Sequence, residues 1–124
     1  MGKRVLIAED EPNIATSLAF LLERAGYQVS IASNGAEALD AIDANTPDAL
    51  LLDLMLPAVD GYEVLRRVRG NPKSADLPVL VLTAKGQKED RETAEQSGAN
   101  AFVTKPFANA ELLDAVDRLF GSNR

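Results

Sequence analysis

Five short apolar segments alternate along the chain with segments whose apolar residues recur at helical spacing. This alternation is typical of a parallel β-sheet covered by helices on both faces, because a chain returns from one parallel strand to the next through a helix. The predicted strands cover residues 4–8, 27–32, 48–53, 77–84 and 100–104, and the predicted helices cover 12–26, 34–45, 61–70, 87–97 and 109–120.

The composition of the strands predicts their order in the sheet. The first, third and fourth strands are almost entirely apolar, which indicates burial in the middle of the sheet. The second strand alternates polar and apolar residues and the fifth is short, so both suit an edge. The order 2-1-3-4-5 meets these conditions and is a common doubly wound arrangement. We therefore predict a single α/β domain over residues 1–124.

The composition also argues against several classes of function. The 124 residues include no Cys and no His, so thiolate chemistry is absent and any phosphohistidine must belong to another molecule. A net charge of −6 argues against a nucleic-acid-binding surface. No apolar run reaches membrane-spanning length and no signal peptide is visible, so we expect a cytoplasmic protein without membrane contacts.

Polar residues stand at the carboxyl ends of the predicted strands. Sites in open parallel sheets form beyond these ends, and the strands of such a sheet all end on the same rim. Acidic residues follow the first strand and end the third, a hydroxyl lies near the end of the fourth, and an amine follows the fifth. The residues expected on this rim are Glu9, Asp10, Glu11, Asp53, Thr83, Thr104, Lys105 and Pro106.

This set of residues predicts a phosphoryl-transfer site. Clustered carboxylates repel one another and gain protons unless a cation lies among them. Oxygen ligands without His or Cys favour a hard cation, Mg²⁺ or alternatively Mn²⁺. Asp53 would supply the nucleophile, while Lys105 and the Thr83 hydroxyl would donate to the phosphoryl group.

Each residue also has an ordinary structural interpretation when it is taken alone. Asp10 could be the N-cap of the first helix, Lys105 a solvated surface lysine and Phe102 an ordinary strand aromatic. The joint placement of Asp10, Asp53, Thr83 and Lys105 on four strand ends favours a common site.

In their order and spacing, the segments VLIAEDEP, LLLDLMLPAVDGYEVL, VLVLTA and SGANAFVTKPF resemble the receiver domain of two-component response regulators. This family includes the chemotaxis regulator, and the resemblance runs from Val5 to Phe120. It implies a flavodoxin-like (βα)5 sandwich that takes part in two-component signal transduction and phosphorelay.

The resemblance implies a set of metal ligands around a phosphoacceptor. Asp53 aligns with the phosphoacceptor, and Asp10 aligns with a metal-ligating acid. Glu9 stands where many members have Asp, and its longer side chain is expected to reach the metal through a bound water. The backbone carbonyl of Met55 is expected to be a further ligand.

The resemblance also implies phosphate-binding and switch residues. Lys105 aligns with the phosphate-binding lysine, and Ala84 with the small residue whose N–H faces the phosphate. Thr83 aligns with the switch hydroxyl and Phe102 with the switch aromatic. The Lys105–Pro106 peptide bond is expected to be cis.

By the same resemblance, the partner that supplies the phosphoryl group is a sensor histidine kinase or a histidine phosphotransfer protein. Phosphorylation is expected to alter the surface formed by the 87–97 helix, the fifth strand and the last helix. A downstream protein, or an output domain absent from this chain, would read that change. The chain would thus catalyse its own phosphorylation and dephosphorylation while acting mainly as a signalling switch.

Three other classes of protein remain as alternatives. A haloacid-dehalogenase-type phosphatase requires a second Asp where this chain has Met55. A flavodoxin-like cofactor binder requires a phosphate loop where this chain has the acidic sequence EDEP. A degenerate receiver could serve as a docking module without phosphorylation, although the chain retains Asp10, Asp53, Thr83 and Lys105, which argues against it.

Overall fold

The structure is a computed structural model in which residues 2–84, 96 and 98–121 are described. Five parallel strands form one sheet in the order β2-β1-β3-β4-β5, which confirms the predicted order. The strands are β1 (Arg4–Ala8), β2 (Gln28–Ala32), β3 (Ala49–Asp53), β4 (Val79–Ala84) and β5 (Ala101–Lys105).

Four helices are found in the described part of the chain. They are α1 (Pro12–Arg24), α2 (Gly35–Ala44), α3 (Gly61–Gly70) and α4 (Asn109–Leu119). The predicted 87–97 helix lies outside the described residues, apart from Gln96. None of the described helices is both long and apolar enough to cross a membrane.

The helices cover the two faces of the sheet in pairs, α1 with α4 and α2 with α3. Alternate residues of each central strand therefore enter different cores. In β3, Leu50 and Leu52 pack in the core under α2 and α3, whereas Leu51 packs under α1 and α4. Because all three leucines are fully buried, β3 holds Asp53 rigidly at the carboxyl end of the sheet.

The start of α1 excludes one of the ordinary structural interpretations. The N-cap residue is Glu11, whose side chain makes no capping hydrogen bond, and Pro12 occupies the first turn. Asp10 is therefore not the N-cap of this helix, and its carboxylate is left for another role. At the start of α2, by contrast, Asn34 Oδ1 accepts a hydrogen bond of 2.8 Å from the Glu37 N–H.

The last two strands begin later than the sequence pattern predicts. β4 begins at Val79, because Pro78 has no N–H to donate to a neighbouring strand. β5 begins at Ala101, because Asn100 uses its side-chain oxygen to accept hydrogen bonds from the Val79 N–H and from Arg69. The Arg69 guanidinium thereby fixes the entry to β5, the strand that ends in Lys105.

Candidate functional site

The carboxyl ends of three strands place two acids and one base in contact. Glu9 directly follows β1, Asp53 ends β3 and Lys105 ends β5. Glu9 is 1% exposed and Asp53 is 5% exposed, so both carboxylates are largely removed from water. Charged groups in such surroundings must be paired or bound to a metal.

Lys105 joins the two buried carboxylates. Its Nζ lies 2.9 Å from Oε1 of Glu9 and 3.0 Å from Oδ2 of Asp53. The Lys105 side chain is about a quarter exposed, so its ammonium faces the rim of the sheet rather than the core. One cation therefore pairs with two acids that lie 44 positions apart in the sequence, because Glu9 directly follows β1 and Asp53 ends the adjacent strand β3.

Backbone N–H groups hold the second oxygen of each acid. Oε2 of Glu9 accepts from the Glu11 N–H at 3.0 Å, and Oδ1 of Asp53 accepts from the Met55 N–H at 3.0 Å. Each carboxylate therefore has one oxygen on Lys105 and the other on the backbone. Among the described residues, no buried side-chain nitrogen or oxygen lacks a hydrogen-bond partner.

The electrostatics of the site show an excess of negative charge. Burial raises the pKa of Glu9, although hydrogen bonds from Lys105 and the Glu11 N–H oppose this shift. Burial alone would lower the pKa of Lys105, but its hydrogen bonds to Glu9 and Asp53 outweigh that cost, so the net shift is upward. Lys105 therefore remains charged, while burial outweighs the hydrogen bonds at Glu9 and the net shift of its pKa is upward.

The third acid of the rim, Asp10, completes a cluster with the chemistry of a hard-cation site. One carboxylate oxygen from each of Glu9, Asp10 and Asp53 lies within 4.8 Å of the others. Asp10 is exposed and opens the cluster to solvent. Three carboxylates against one ammonium leave net negative charge, and oxygen-only donors suit Mg²⁺ or Mn²⁺.

The structure also places the other residues predicted for the site. The backbones of Thr83 and Ala84 pair with Thr104 and Lys105 at the carboxyl ends of β4 and β5. The side chains of Thr83 and Ala84 lie outside what the structure describes. The Lys105–Pro106 peptide bond is cis. Phe102 is partly buried and packs against the core under α2 and α3.

Two glycines near Asp53 were missed by sequence reasoning. Gly35 and Gly61 are the first residues of α2 and α3, and both contact the segment that follows Asp53. The available signal was a Gly at the first position of a helix, since Gly is the residue that permits a close approach of another backbone segment.

Comparison with known proteins gives the family. Residues 5–117 match the family model of the response regulator receiver domain, and the chain belongs to this family. Response regulator MprA of Mycobacterium tuberculosis is 44% identical over 113 residues, which cover 91% of this chain and 48% of MprA. The chain thus spans about half the length of the curated relatives that it matches.

Solved structures agree with this assignment. A putative response regulator from Chloroflexus aurantiacus superposes with a TM-score of 0.95 at 39% identity, covering 98% of this chain and 99% of the other. The receiver domain of sensor histidine kinase PA1611 from Pseudomonas aeruginosa has a TM-score of 0.90 at 34% identity, covering 98% and 100%. That structure has a magnesium ion coordinated in its active-site cleft. The predicted family and flavodoxin-like fold are therefore confirmed.

Proposed function

We propose that this receiver domain accepts a phosphoryl group on Asp53 from a phosphohistidine of a sensor histidine kinase or a histidine phosphotransfer protein. One observation carries the proposal. The Asp53 carboxylate is largely buried at the rim of the sheet, with one oxygen on Lys105 and the other on the Met55 N–H. A carboxylate oriented in this way is suited to attack, because phosphoryl transfer depends mostly on positioning and on neutralising charge.

Glu9, Asp10, Asp53 and the backbone carbonyl of Met55 would hold Mg²⁺, or Mn²⁺ in its place. The clustered oxygens of the three acids support this, as does the magnesium in the cleft of the PA1611 receiver domain. When bound, the ion would neutralise charge on the carboxylates and on the phosphoryl oxygens.

The transfer itself uses groups of this chain. An oxygen of Asp53 forms a bond to phosphorus while the bond from phosphorus to the imidazole nitrogen breaks, and the electron pair stays on the imidazole. Lys105 already lies against Asp53 and would donate to the phosphoryl oxygens. The Thr83 hydroxyl and the Ala84 N–H would be the other donors. Attack by water on the aspartyl phosphate would later release phosphate and restore the carboxylate.

The output would be a shift between two conformations. Thr83 would turn toward the phosphoryl group and Phe102 would move inward, which changes the surface of the 87–97 segment, β5 and α4. The position of Phe102 on an edge strand, partly buried, supports this role. A downstream protein, or an output domain outside this sequence, would bind the altered surface.

The environment of the domain belongs to the same proposal. We propose that this domain contacts neither nucleic acid nor a membrane. Its net charge of −6 argues against the first of these. The proposed location is the cytoplasm, where response regulators typically act.

Labelling with a small phosphodonor tests the proposal. The protein is incubated with acetyl phosphate and Mg²⁺, and its intact mass is measured. We expect the mass to rise by one phosphoryl group, and we expect that group to be labile in both acid and base, as an acyl phosphate is. Asp53→Ala should abolish the label, while Asp114→Ala on the exposed side of α4 should keep it.

The same experiment separates the alternatives. An unlabelled wild-type protein would favour the degenerate docking module over a phosphoacceptor. A label retained in Asp53→Ala would show that another residue is the acceptor.

A further inference from the structure

We propose that Gly35, the first residue of α2, is a positioning residue for Asp53, an inference that rests on the proposed function. Gly35 lies on a different element from every residue assigned to the site, and it has no side chain with which to act. Its effect would pass through the loop of residues 54–60, which follows Asp53 and leads into α3. This loop carries Met55, whose N–H holds Oδ1 of Asp53.

The side chain of Met55 does little to hold its own backbone in place. Its side chain is 73% exposed, so packing supplies little restraint at that residue. The neighbouring Leu54 and Leu56 are buried and anchor the start of the loop. Residues 57–60 lie beyond these two anchors, and a contact from another part of the fold restrains the loop there.

The N–H groups of two helix starts supply that restraint. Gly61 N donates to the Leu54 carbonyl at 3.0 Å, and Gly35 N donates to the Pro57 carbonyl at 3.3 Å. The first N–H groups of a helix have no partner within the helix, so they are free to bind the loop. Gly61 adjoins the loop in sequence, whereas Gly35 reaches it from across the face of the sheet. The second contact thus ties the loop to the body of the domain.

The approach of α2 to the loop leaves no space for a side chain at position 35. A Cβ on Gly35 would lie 1.7 Å from the Val59 carbonyl oxygen and 2.8 Å from the Val59 Cβ. The nearest obstacle is backbone, so a rotamer change cannot relieve it. The loop also contains Ala58 at a φ of +69°, a conformation that disfavours residues other than Gly. This strained path persists because the surrounding contacts hold it.

It follows that any residue larger than Gly at position 35 would push α2 and the loop apart by more than 1 Å, judged against ordinary contact distances. A displacement of that size near reacting groups costs on the order of a hundredfold in rate. The Met55 peptide would then leave its place beside Asp53. The orientation of the Asp53 carboxylate and the position of the Met55 carbonyl would both change.

Substitution of two glycines by alanine tests the inference. Gly35→Ala is compared with Gly70→Ala, the matched control, because a Cβ on Gly70 meets nothing within 4 Å. Three quantities are measured for each protein. They are the dissociation constant of Mg²⁺ by calorimetry without phosphodonor, the rate of phosphorylation by acetyl phosphate at saturating Mg²⁺, and the free energy of unfolding.

We expect Gly35→Ala to weaken Mg²⁺ binding and to slow phosphorylation, each by roughly tenfold or more. Gly70→Ala should remain within about twofold of the wild type in both, since it removes no contact. A purely structural role of Gly35 would reduce the folded fraction without changing the Mg²⁺ dissociation constant of the folded protein. The calorimetric titration therefore separates positioning from stability.

Asn34→Ala provides a milder test if Gly35→Ala does not fold. It removes the side-chain cap of α2 and loosens the Gly35 N–H without adding atoms. We expect a smaller change in the same direction for Mg²⁺ binding and for rate. Wild-type values in Asn34→Ala, or in a folded Gly35→Ala, would overturn the inference.

The failure of this inference can be told apart from that of the proposed function. If the wild-type protein takes up no phosphoryl group, the proposed function is wrong. If the wild type is labelled and Gly35→Ala behaves like Gly70→Ala, the function stands and Gly35 is not a positioning residue.

Discussion

Polar side chains cluster at both ends of the parallel sheet, but the two ends differ in how far their charges are compensated. At the carboxyl end, Glu9 and Asp53 are buried and share the ammonium of Lys105. At the amino end, the Arg4 guanidinium donates to two backbone carbonyls just beyond α2, at 2.9 and 3.0 Å. A cation on the free carbonyls of a helix end is favourable, whereas two buried acids on one base leave uncompensated charge.

The amino end is also stabilised by aromatic contacts. The Tyr27 hydroxyl donates to Asp117, and the Tyr27 ring stacks on Phe120 with 5.5 Å between centroids. Lys3 Nζ lies 5.7 Å from the centroid of the Phe120 ring. These contacts join the end of α4 to the starts of β1 and β2.

The difference suggests a division between stability and function. The carboxyl end holds an excess of negative charge, which the divalent cation of the proposed function would compensate. The amino end contains groups that already satisfy one another. Substitutions at the two ends should therefore affect different measurements.

Removal of a lysine from each end should give the largest contrast. Lys105→Met removes the proposed donor to the phosphoryl group and should slow phosphorylation by acetyl phosphate about a hundredfold. Lys3→Met should leave that rate unchanged, because Lys3 lies at the other end of the sheet. The rate is measured by intact mass against time at saturating Mg²⁺. Equal rates in Lys105→Met and Lys3→Met would contradict a functional difference between the two ends of the sheet.

Arg4→Met should show the reverse pattern. It removes two hydrogen bonds from a charged group, and we expect the free energy of unfolding to fall by about 2 kcal/mol. Urea denaturation measures this loss. The phosphorylation rate of the folded variant should equal that of the wild type, and a slower rate would show that the amino end also shapes the site.

Mg²⁺ should stabilise the protein through the carboxyl end alone. At about ten times its dissociation constant, Mg²⁺ should raise the free energy of unfolding by about 1.4 kcal/mol. Asp10→Asn should reduce this increment, because Asp10 belongs to the acidic cluster. Arg4→Met should keep the full increment, measured by urea denaturation with and without Mg²⁺. If Mg²⁺ still raises the free energy of unfolding of Asp10→Asn by the full amount, the ion binds at another site.

Tyr27→Phe should have the smallest effect, and one that depends on pH. Burial, together with the hydrogen bond to Asp117, raises the pKa of Tyr27 above that of the unfolded chain. The stabilisation from the hydroxyl is therefore complete below a pH of about 10 and is lost as the pH rises above it. We expect Tyr27→Phe to lower the free energy of unfolding by about 1 kcal/mol at neutral pH.

Denaturation of both proteins at neutral pH and at a pH of about 11 measures this dependence. The difference between wild type and Tyr27→Phe should shrink at the higher pH. A difference that grows with pH would contradict the assigned shift in the pKa of Tyr27.

Much of the site could be predicted because parallel topology is restrictive. Once strands alternate with helices, every strand ends on the same rim, so residues that follow the strands must lie near one another. This placed Asp10, Asp53 and Lys105 together without knowledge of any contact. Asp10 was ambiguous between a metal ligand and a helix cap, and the observed N-cap at Glu11 removed the second interpretation.

The sequence by itself determined the strand order, the central position of Leu50 to Leu52 and the acidic character of the rim, because apolar composition and its periodicity are local properties of the chain. Tertiary structure alone decided that Lys105 joins Glu9 to Asp53 and that Gly35 contacts the loop beyond Asp53. These contacts join residues far apart in sequence at distances that depend on how helices pack on the sheet. Such packing follows from the fit of many side chains together, which no short stretch of sequence records.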